Sequence, residues 1–134
     1  MMILYRSKEL VNRMTLNILI VDQDLQARDR LQQALTAAGM LVTLADDGVE
    51  ALHSYENNHL DAIITEIALP RLDGLGLIAA VRNGASRPHT PILVLSSDSP
   101  PDQMSKARRA GANGWILKPF DPVKIVTALN AVID

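Results

Sequence analysis

Seven polar residues stand just beyond four short apolar runs: Asp22, Gln23 and Asp24 after residues 17–21, Glu66 after 60–65, Ser96 and Ser97 after 91–95, and Lys118 after 114–117. If the runs are parallel strands of one open sheet, these side chains gather beyond the carboxyl ends, where such sheets place their ligands. Carboxylates, a hydroxyl and an ammonium at one mouth suit a phosphoryl group and a hard cation. Taken singly, each has a plainer role. Asp22 and Asp24 are good helix caps, Ser96 can satisfy a loop, and Lys118 can be solvated. Their order across successive strand ends is what argues for a shared site.

The elements that must position them follow from periodicity. Apolar runs at 17–21, 40–45, 60–65, 91–95 and 114–117 alternate with amphipathic stretches, the pattern of a parallel sheet covered by helices on both faces. Residues 25–38 carry Leu31, Ala34, Leu35 and Ala38 at helical spacing, and Gly39 can supply the left-handed stop. Asp47-Gly48-Val49-Glu50 reads as an acidic cap with glutamate three residues on, opening a helix to about residue 57. A third helix follows Gly74 with Leu77, Ile78 and Val81 and ends near Gly84. Ser99-Pro100 reads as a cap followed by proline at the first helical position, with closure at Gly111, and Asp121-Pro122 repeats that start for the last helix. With 134 residues, 48% of them apolar, the chain can bury one core without metal or crosslinks. The prediction is a single doubly wound (βα)5 domain over residues 16–134. Residues 1–15 fall outside the rhythm. They read as an N-terminal extension, with Met14 an alternative start, or as a docking helix with Leu4, Leu10 and Val11 on one side.

Bulk properties exclude several functions. Thirteen basic against 15 acidic residues give a formal charge of -2, which provides no long-range pull toward nucleic acid or anionic lipid. There is no cysteine, hence no disulfide framework or thiolate chemistry. No apolar run approaches the roughly 18 residues of a membrane span, and the start meets charge at Arg6 and Lys8, so a soluble cytoplasmic domain is expected. His53, His59 and His89 lack metal-ligand spacing. Lys106, Arg108 and Arg109 form a small basic patch, either a solvated helix face or a contact for an acidic partner. Gly74-Leu75-Gly76 lacks the third glycine of a dinucleotide fingerprint. In the last helix, Val126, Leu129 and Ile133 form one stripe and Ile125, Ala128 and Val132 extend it to an apolar arc of roughly 200°. That arc suggests an interface at Ile125, Ala128 and Val132, with burial under a neighbouring loop as the alternative.

Five segments together resemble the response-regulator receiver domain: Ile-Leu-Ile-Val-Asp (18–22), Leu-Pro-Arg-Leu-Asp-Gly (69–74), Pro-Ile-Leu-Val-Leu-Ser (91–96), Gly-Ala-Asn-Gly-Trp (111–115) and Lys-Pro-Phe (118–120). The resemblance implies a flavodoxin-like five-stranded sheet of order 2-1-3-4-5 and a cis peptide bond between Lys118 and Pro119. It implies that Asp22 is the first residue of a metal-holding acidic pair whose second member is replaced by Gln23, with Asp24 beside them. Glu66 occupies the position of the phosphoacceptor aspartate, Ser96 that of the switch hydroxyl, Trp115 that of the switch aromatic, and Lys118 that of the charge partner. Trp115 reads equally as a half-exposed residue at a partner surface. A metal, if held, would use Asp22, Glu66 and the backbone carbonyl of Ala68.

Glutamate extends its carboxylate by one carbon-carbon bond, about 1.5 Å, into space the phosphoryl group would fill. Gln23 keeps an oxygen but no charge, so Mg²⁺ affinity should fall and phosphotransfer with it. The expectation is a pseudo-receiver, not an enzyme, requiring no cofactor and binding Mg²⁺ weakly. It would act on a signalling protein, or as a homodimer through the last helix, and not on nucleic acid or membrane. Two alternatives compete. One is a working Mg²⁺-dependent receiver with an unusual acceptor. The other is a haloacid-dehalogenase-like phosphatase with Asp22 as nucleophile and Asp24 as general acid, which leaves the Lys-Pro-Phe and Leu-Pro-x-x-Asp-Gly segments unexplained.

Overall fold

The computed structural model describes residues 15–84 and 86–133, so the readings of the first 14 residues, including those resting on Leu4, Leu10 and Val11, lie outside the described residues. Five strands, β1 (Asn17–Val21), β2 (Leu41–Ala45), β3 (Ala62–Thr65), β4 (Ile92–Ser96) and β5 (Gly114–Leu117), alternate with five helices, α1 (Leu25–Ala37), α2 (Gly48–Asn57), α3 (Gly74–Arg82), α4 (Pro101–Ala110) and α5 (Pro122–Val132). The strands form one parallel sheet of order β2-β1-β3-β4-β5, the order expected.

β3 and β4 are buried at every residue and β1 at all but its first, as strands covered on both faces must be. Successive side chains go to opposite faces, which divides the core in two. Leu19, Val21, Ile63 and Val94 meet Ala51, Tyr55, Leu77, Ile78 and Ala107 on the side of α2, α3 and α4. Ile18, Ile20, Ile64 and Leu93 meet Leu31, Leu35, Ile125 and Leu129 on the side of α1 and α5. Each such aliphatic side chain contributes about 1.5–3 kcal/mol by leaving water.

Four helices start on an aspartate whose carboxylate accepts from a first-turn N–H: Asp24 for α1, Asp47 for α2, Asp73 for α3 and Asp121 for α5. The fourth helix departs from expectation. Ser99 does not cap it, and Pro100 stands at the cap with extended backbone (φ -62°, ψ 128°) and no side-chain bond. Two consecutive prolines explain the shift, because the ring of Pro101 drives the residue before it out of the helical region. Gly39 (φ 85°) and Gly111 (φ 117°) take the left-handed conformation that ends α1 and α4.

Within the apolar arc of α5 one residue is a correction, Ile125. Ile125 is fully buried with Leu129, while Ala128 and Val132 are half-buried against the same core. α5 packs on the sheet and on α1 at once, so two neighbours consume a face wider than one would need. Large apolar residues exposed where β5 runs into α5 are Leu117 and Val123, at the end of β5 and the start of α5. Among the described residues no helix is long and apolar enough to cross a membrane.

A close backbone approach seats the loop between β3 and α3. Gly48, first residue of α2, lies under the Leu72 carbonyl, and a Cβ there would fall inside that oxygen's van der Waals envelope. Gly48→Ala should therefore cost about 1–3 kcal/mol in urea denaturation. Gly76→Ala, whose nearest obstacle is the movable Leu72 Cδ1, should cost less.

Candidate functional site

Register brings the acidic residues together. Val21 is level with Thr65 on β3 and Ala45 on β2, so β1 and β3 end side by side and the Glu66 N–H donates to the Val21 carbonyl (3.0 Å). Asp22 is buried one step beyond Val21. Its Oδ1 accepts from the Asp24 N–H (2.9 Å) and its Oδ2 lies 2.7 Å from Lys118 Nζ. Glu66 uses both oxygens as well: Oε1 accepts from the Ile67 N–H (2.8 Å), and Oε2 stands 3.3 Å from Lys118 Nζ. Asp24 caps α1 with Oδ1, and its Oδ2 is 4.0 Å from the same ammonium, with the side chain 55% exposed.

Lys118 reaches this point from the end of β5. Its N–H donates to the Ser96 carbonyl (2.8 Å) and its peptide bond to Pro119 is cis. The side chain is only 13% exposed, against 8% for Asp22 and 12% for Glu66. Burial alone would lower the lysine's pKa, but the hydrogen bond and charge of Asp22, helped by Glu66, outweigh it and hold the ammonium above its ordinary range.

Ser96 is buried at the end of β4, and its Oγ accepts from the Asp98 N–H (3.3 Å). Trp115 is half-buried against the α4-side core, with its indole N–H donating to the Asp98 carbonyl (3.2 Å). Gln23 and Ala68 lie exposed at the rim, where Asp98 and Gln103 also line the mouth. The last two were missed from sequence. Asp98 carried a signal, since an aspartate followed by serine and proline favours a side-chain-closed turn, and its Oδ1 does accept from the Ser99 N–H (2.8 Å). Arg71 was missed too. Held at φ 67°, it donates from Nε to Asp47 Oδ2 (2.9 Å) with Nη2 at 2.7 Å, tying the loop after Glu66 to the cap of α2. The Glu50 N–H, and with it Arg71, holds the Asp47 carboxyl below its ordinary pKa.

The donors do not fit a resident Mg²⁺. Among the described residues no group of three or more acidic or histidine side chains is placed to hold a metal ion. The oxygens of Asp22 and Glu66 that face the mouth already share an ammonium, and Gln23 is uncharged, whereas Mg²⁺ favours carboxylate oxygens in near-octahedral array. The Ala68 carbonyl would have to complete the set without them. His53, His59 and His89 are exposed and none lines the mouth, and Lys106, Arg108 and Arg109 are exposed on α4.

The raised lysine has a sign that can be tested. A group more easily protonated when folded stabilises fully below its unfolded pKa, near the ordinary 10.5, and that contribution disappears as pH rises through the higher folded value. Urea midpoints should therefore fall on the alkaline side of about pH 10.5, and less steeply in Lys118→Met. Equal slopes would mean the ammonium is not held by its carboxylates.

Residues 18–130 match the response regulator receiver domain family. Response regulator MprA of Mycobacterium sp. (strain KMS) is 35% identical over 120 residues, covering 90% of this chain and 51% of MprA. Transcriptional regulatory protein PrrA of Mycobacterium tuberculosis is 35% identical over 116 residues, covering 87% and 49%. The chain thus spans about half the length of the curated relatives it matches. Among solved structures, chemotaxis response regulator CheY4 of Vibrio cholerae superposes with a TM-score of 0.83 at 32% identity, covering 89% of this chain and 99% of that one. The receiver domain of sensor histidine kinase PA1611 from Pseudomonas aeruginosa PAO1, solved with magnesium coordinated in its active site cleft, gives 0.83 at 28% identity over 90% and 98%. With the 2-1-3-4-5 sheet and its strand-end residues already placed, these matches carry the conclusion that the chain belongs to the response regulator receiver domain family of two-component signalling.

Proposed function

We propose that this domain is a pseudo-receiver: a non-enzymatic signalling module of the cytoplasm that works by protein contact, with Glu66 as a standing anion in place of a phosphorylated aspartate. One observation carries the reading. Glu66 has no idle oxygen, since Oε1 takes the Ile67 N–H at 2.8 Å and Oε2 faces Lys118 at 3.3 Å. In-line attack on phosphorus needs a carboxylate oxygen free and aimed outward, with the transferring charge neutralised by metal. Neither condition suits this mouth. Asp22 as a phosphatase nucleophile meets the same objection, because Lys118 and the Asp24 N–H occupy its two oxygens.

The glutamate imitates a phosphoryl group in part. It offers one negative charge and two acceptor oxygens where a phosphate offers about -1.5 to -2 and three. The partner is a signalling protein or a second copy of this chain. Leu117 (49% exposed) and Val123 (71%) supply the apolar contact where β5 runs into α5, in place of the buried Ile125. No nucleic-acid or membrane role is proposed for a domain of charge -2.

Incubation with acetyl phosphate and Mg²⁺ should leave the intact mass unchanged. A stable adduct of about 80 Da would overturn the reading in favour of a working receiver with an unusual acceptor. Glu66→Asp combined with Gln23→Asp should restore the adduct, because the lysine, the serine and the first aspartate are already in position. For the contact surface, light scattering at high concentration is expected to detect dimers that Val123→Asp abolishes, or, for a hetero-partner, a monomer whose capture by that partner Val123→Asp weakens.

A further inference from the structure

We propose that His59 is the pH-sensitive member of a clasp at the amino end of the sheet, opposite the mouth, and that protonating its ring loosens the loop between α3 and β4. Four places in the chain build the clasp. Arg87, on that loop, turns its guanidinium toward the end of α2: Nη2 donates to the carbonyls of Tyr55 (3.3 Å) and Asn58, and Nη1 to that of Leu60 (3.4 Å). Its remaining partner is the His59 ring, with Nη1 2.7 Å from Nδ1. The other ring nitrogen, Nε2, stands 3.3 Å from Asp61 Oδ1, and Asp61 Oδ2 accepts from the Asn17 N–H (2.7 Å) at the start of β1. Asn17 also holds the His59 backbone, donating from Nδ2 to its carbonyl (3.3 Å). Tyr55 completes the clasp from α2. The guanidinium lies over its ring (5.5 Å), and its hydroxyl donates to the Arg87 carbonyl, which also accepts from Thr90 Oγ1 (2.9 Å) and the Thr90 N–H (3.3 Å).

Hydrogen-bond direction sets the charge state this arrangement requires. A guanidinium can only donate, so Nδ1 must present a lone pair to Arg87, and the ring proton belongs on Nε2, facing the Asp61 carboxylate. That is a neutral imidazole in one tautomer. A proton added at Nδ1 removes the acceptor and sets a second cation 2.7 Å from Arg87 Nη1, while the contact with Asp61 becomes ionic. The side chain is 76% exposed, so protons reach it freely, and imidazole is the group whose charge changes near neutral pH. The conflict is relieved on the arginine side, because Asn17 holds His59 through its backbone and through Asp61, whereas Arg87 belongs to a loop. Among the described residues Arg87 and Asp61 are the charged groups bonded to the ring. His53 on α2 pairs with Asn57 instead (3.3 Å), and Glu56 and His89 make no bond to His59. The clasp lies at the opposite end of the sheet from Glu66 and does not depend on whether that residue is modified.

The state of the ring can be read from the ¹⁵N shifts of its two nitrogens in the unaltered protein. At about pH 8 His59 should be neutral with its proton on Nε2. Lowering the pH to about 5 should reduce amide-exchange protection at Thr90, whose N–H donates to the Arg87 carbonyl, by at least about threefold, measured against an unstructured amide at the same pH. The loss should follow the His59 titration, while Leu19 and Ile64 in the central strands keep their protection. In His59→Asn, which offers Oδ1 in the place of Nδ1 and does not titrate, the pH-dependent loss should disappear even though His53 and His89 still change charge. A ring proton found mainly on Nδ1 in the neutral form, Thr90 protection that stays constant through the titration, or a loss that persists in His59→Asn would each overturn the proposal. The first two readouts use the unaltered protein, so they decide the matter even if the variant folds poorly.

Discussion

The site depends on one buried cation shared between two carboxylates. Lys118 stands 2.7 Å from Asp22 and 3.3 Å from Glu66, with all three side chains largely out of water. At such distances the attraction is of the order of a few kcal/mol for an effective dielectric near 20. Desolvation of the three charges opposes it by a comparable amount. The net gain in stability is therefore small, but removing one member would strand the others. The triad acts as a constraint: it fixes where β5 must end relative to β1 and β3.

The scaffold meets that constraint with a second set of contacts around the β3–α3 loop. Gly74 lets α3 begin against the Glu66 carbonyl, since a Cβ there would collide with that oxygen and come within 2.8 Å of Ile67 Cα, and the Gly74 N–H donates to the Ile67 carbonyl (2.8 Å). Arg71 and Gly48 secure the far end of the loop against α2. Glu66 can thus turn its carboxylate back onto the Ile67 N–H because that N–H is held still. Away from the mouth, Arg82 performs the corresponding service, donating to the carbonyls of Pro88, Thr90 and Gly111 and to Asn113 Oδ1 at 2.6–3.1 Å. Burial lowers its pKa without discharging it. Gly111 ends α4 with its positive φ, and its lack of a Cβ leaves room for the Arg82 side chain.

Much of this was readable from local pattern. Strands such as 17–21 and helix starts such as Asp47 and Asp121 are decided by neighbours in sequence, and the structure has them where periodicity and capping put them. The errors arise where a distant element or an adjacent ring decides. Ser99-Pro100 was misread because Pro101, not Ser99, controls the backbone at Pro100. Ile125 looked free because an apolar arc does not reveal how many neighbours it meets, and α5 meets two. Arg71 and Arg82 gave no signal, since their partners lie 24 to 31 residues away or are backbone carbonyls that any sequence would supply. At the mouth, residue types identified the participants, but which oxygen of Glu66 faces the lysine is set by packing alone.

Gln23 and Glu66 make physical sense as a pair. The mouth gathers Asp22, Asp24 and Glu66 around a single ammonium, already an excess of negative charge. A carboxylate at position 23 would add a fourth anion to a space where a divalent cation is the ordinary means of balance. Glutamine removes that need while keeping a polar, hydrogen-bonding group at the rim. The longer side chain at 66 then closes the distance to Lys118 and finds its second partner in the adjacent N–H. Each substitution alone would leave a mismatch: glutamine with a short aspartate gives a weak metal site, and glutamate with a full acidic pair gives unbalanced charge. Together they leave the mouth with one anion fewer than a full acidic pair would give, and with both oxygens of Glu66 partnered, which is the basis of the reading proposed above.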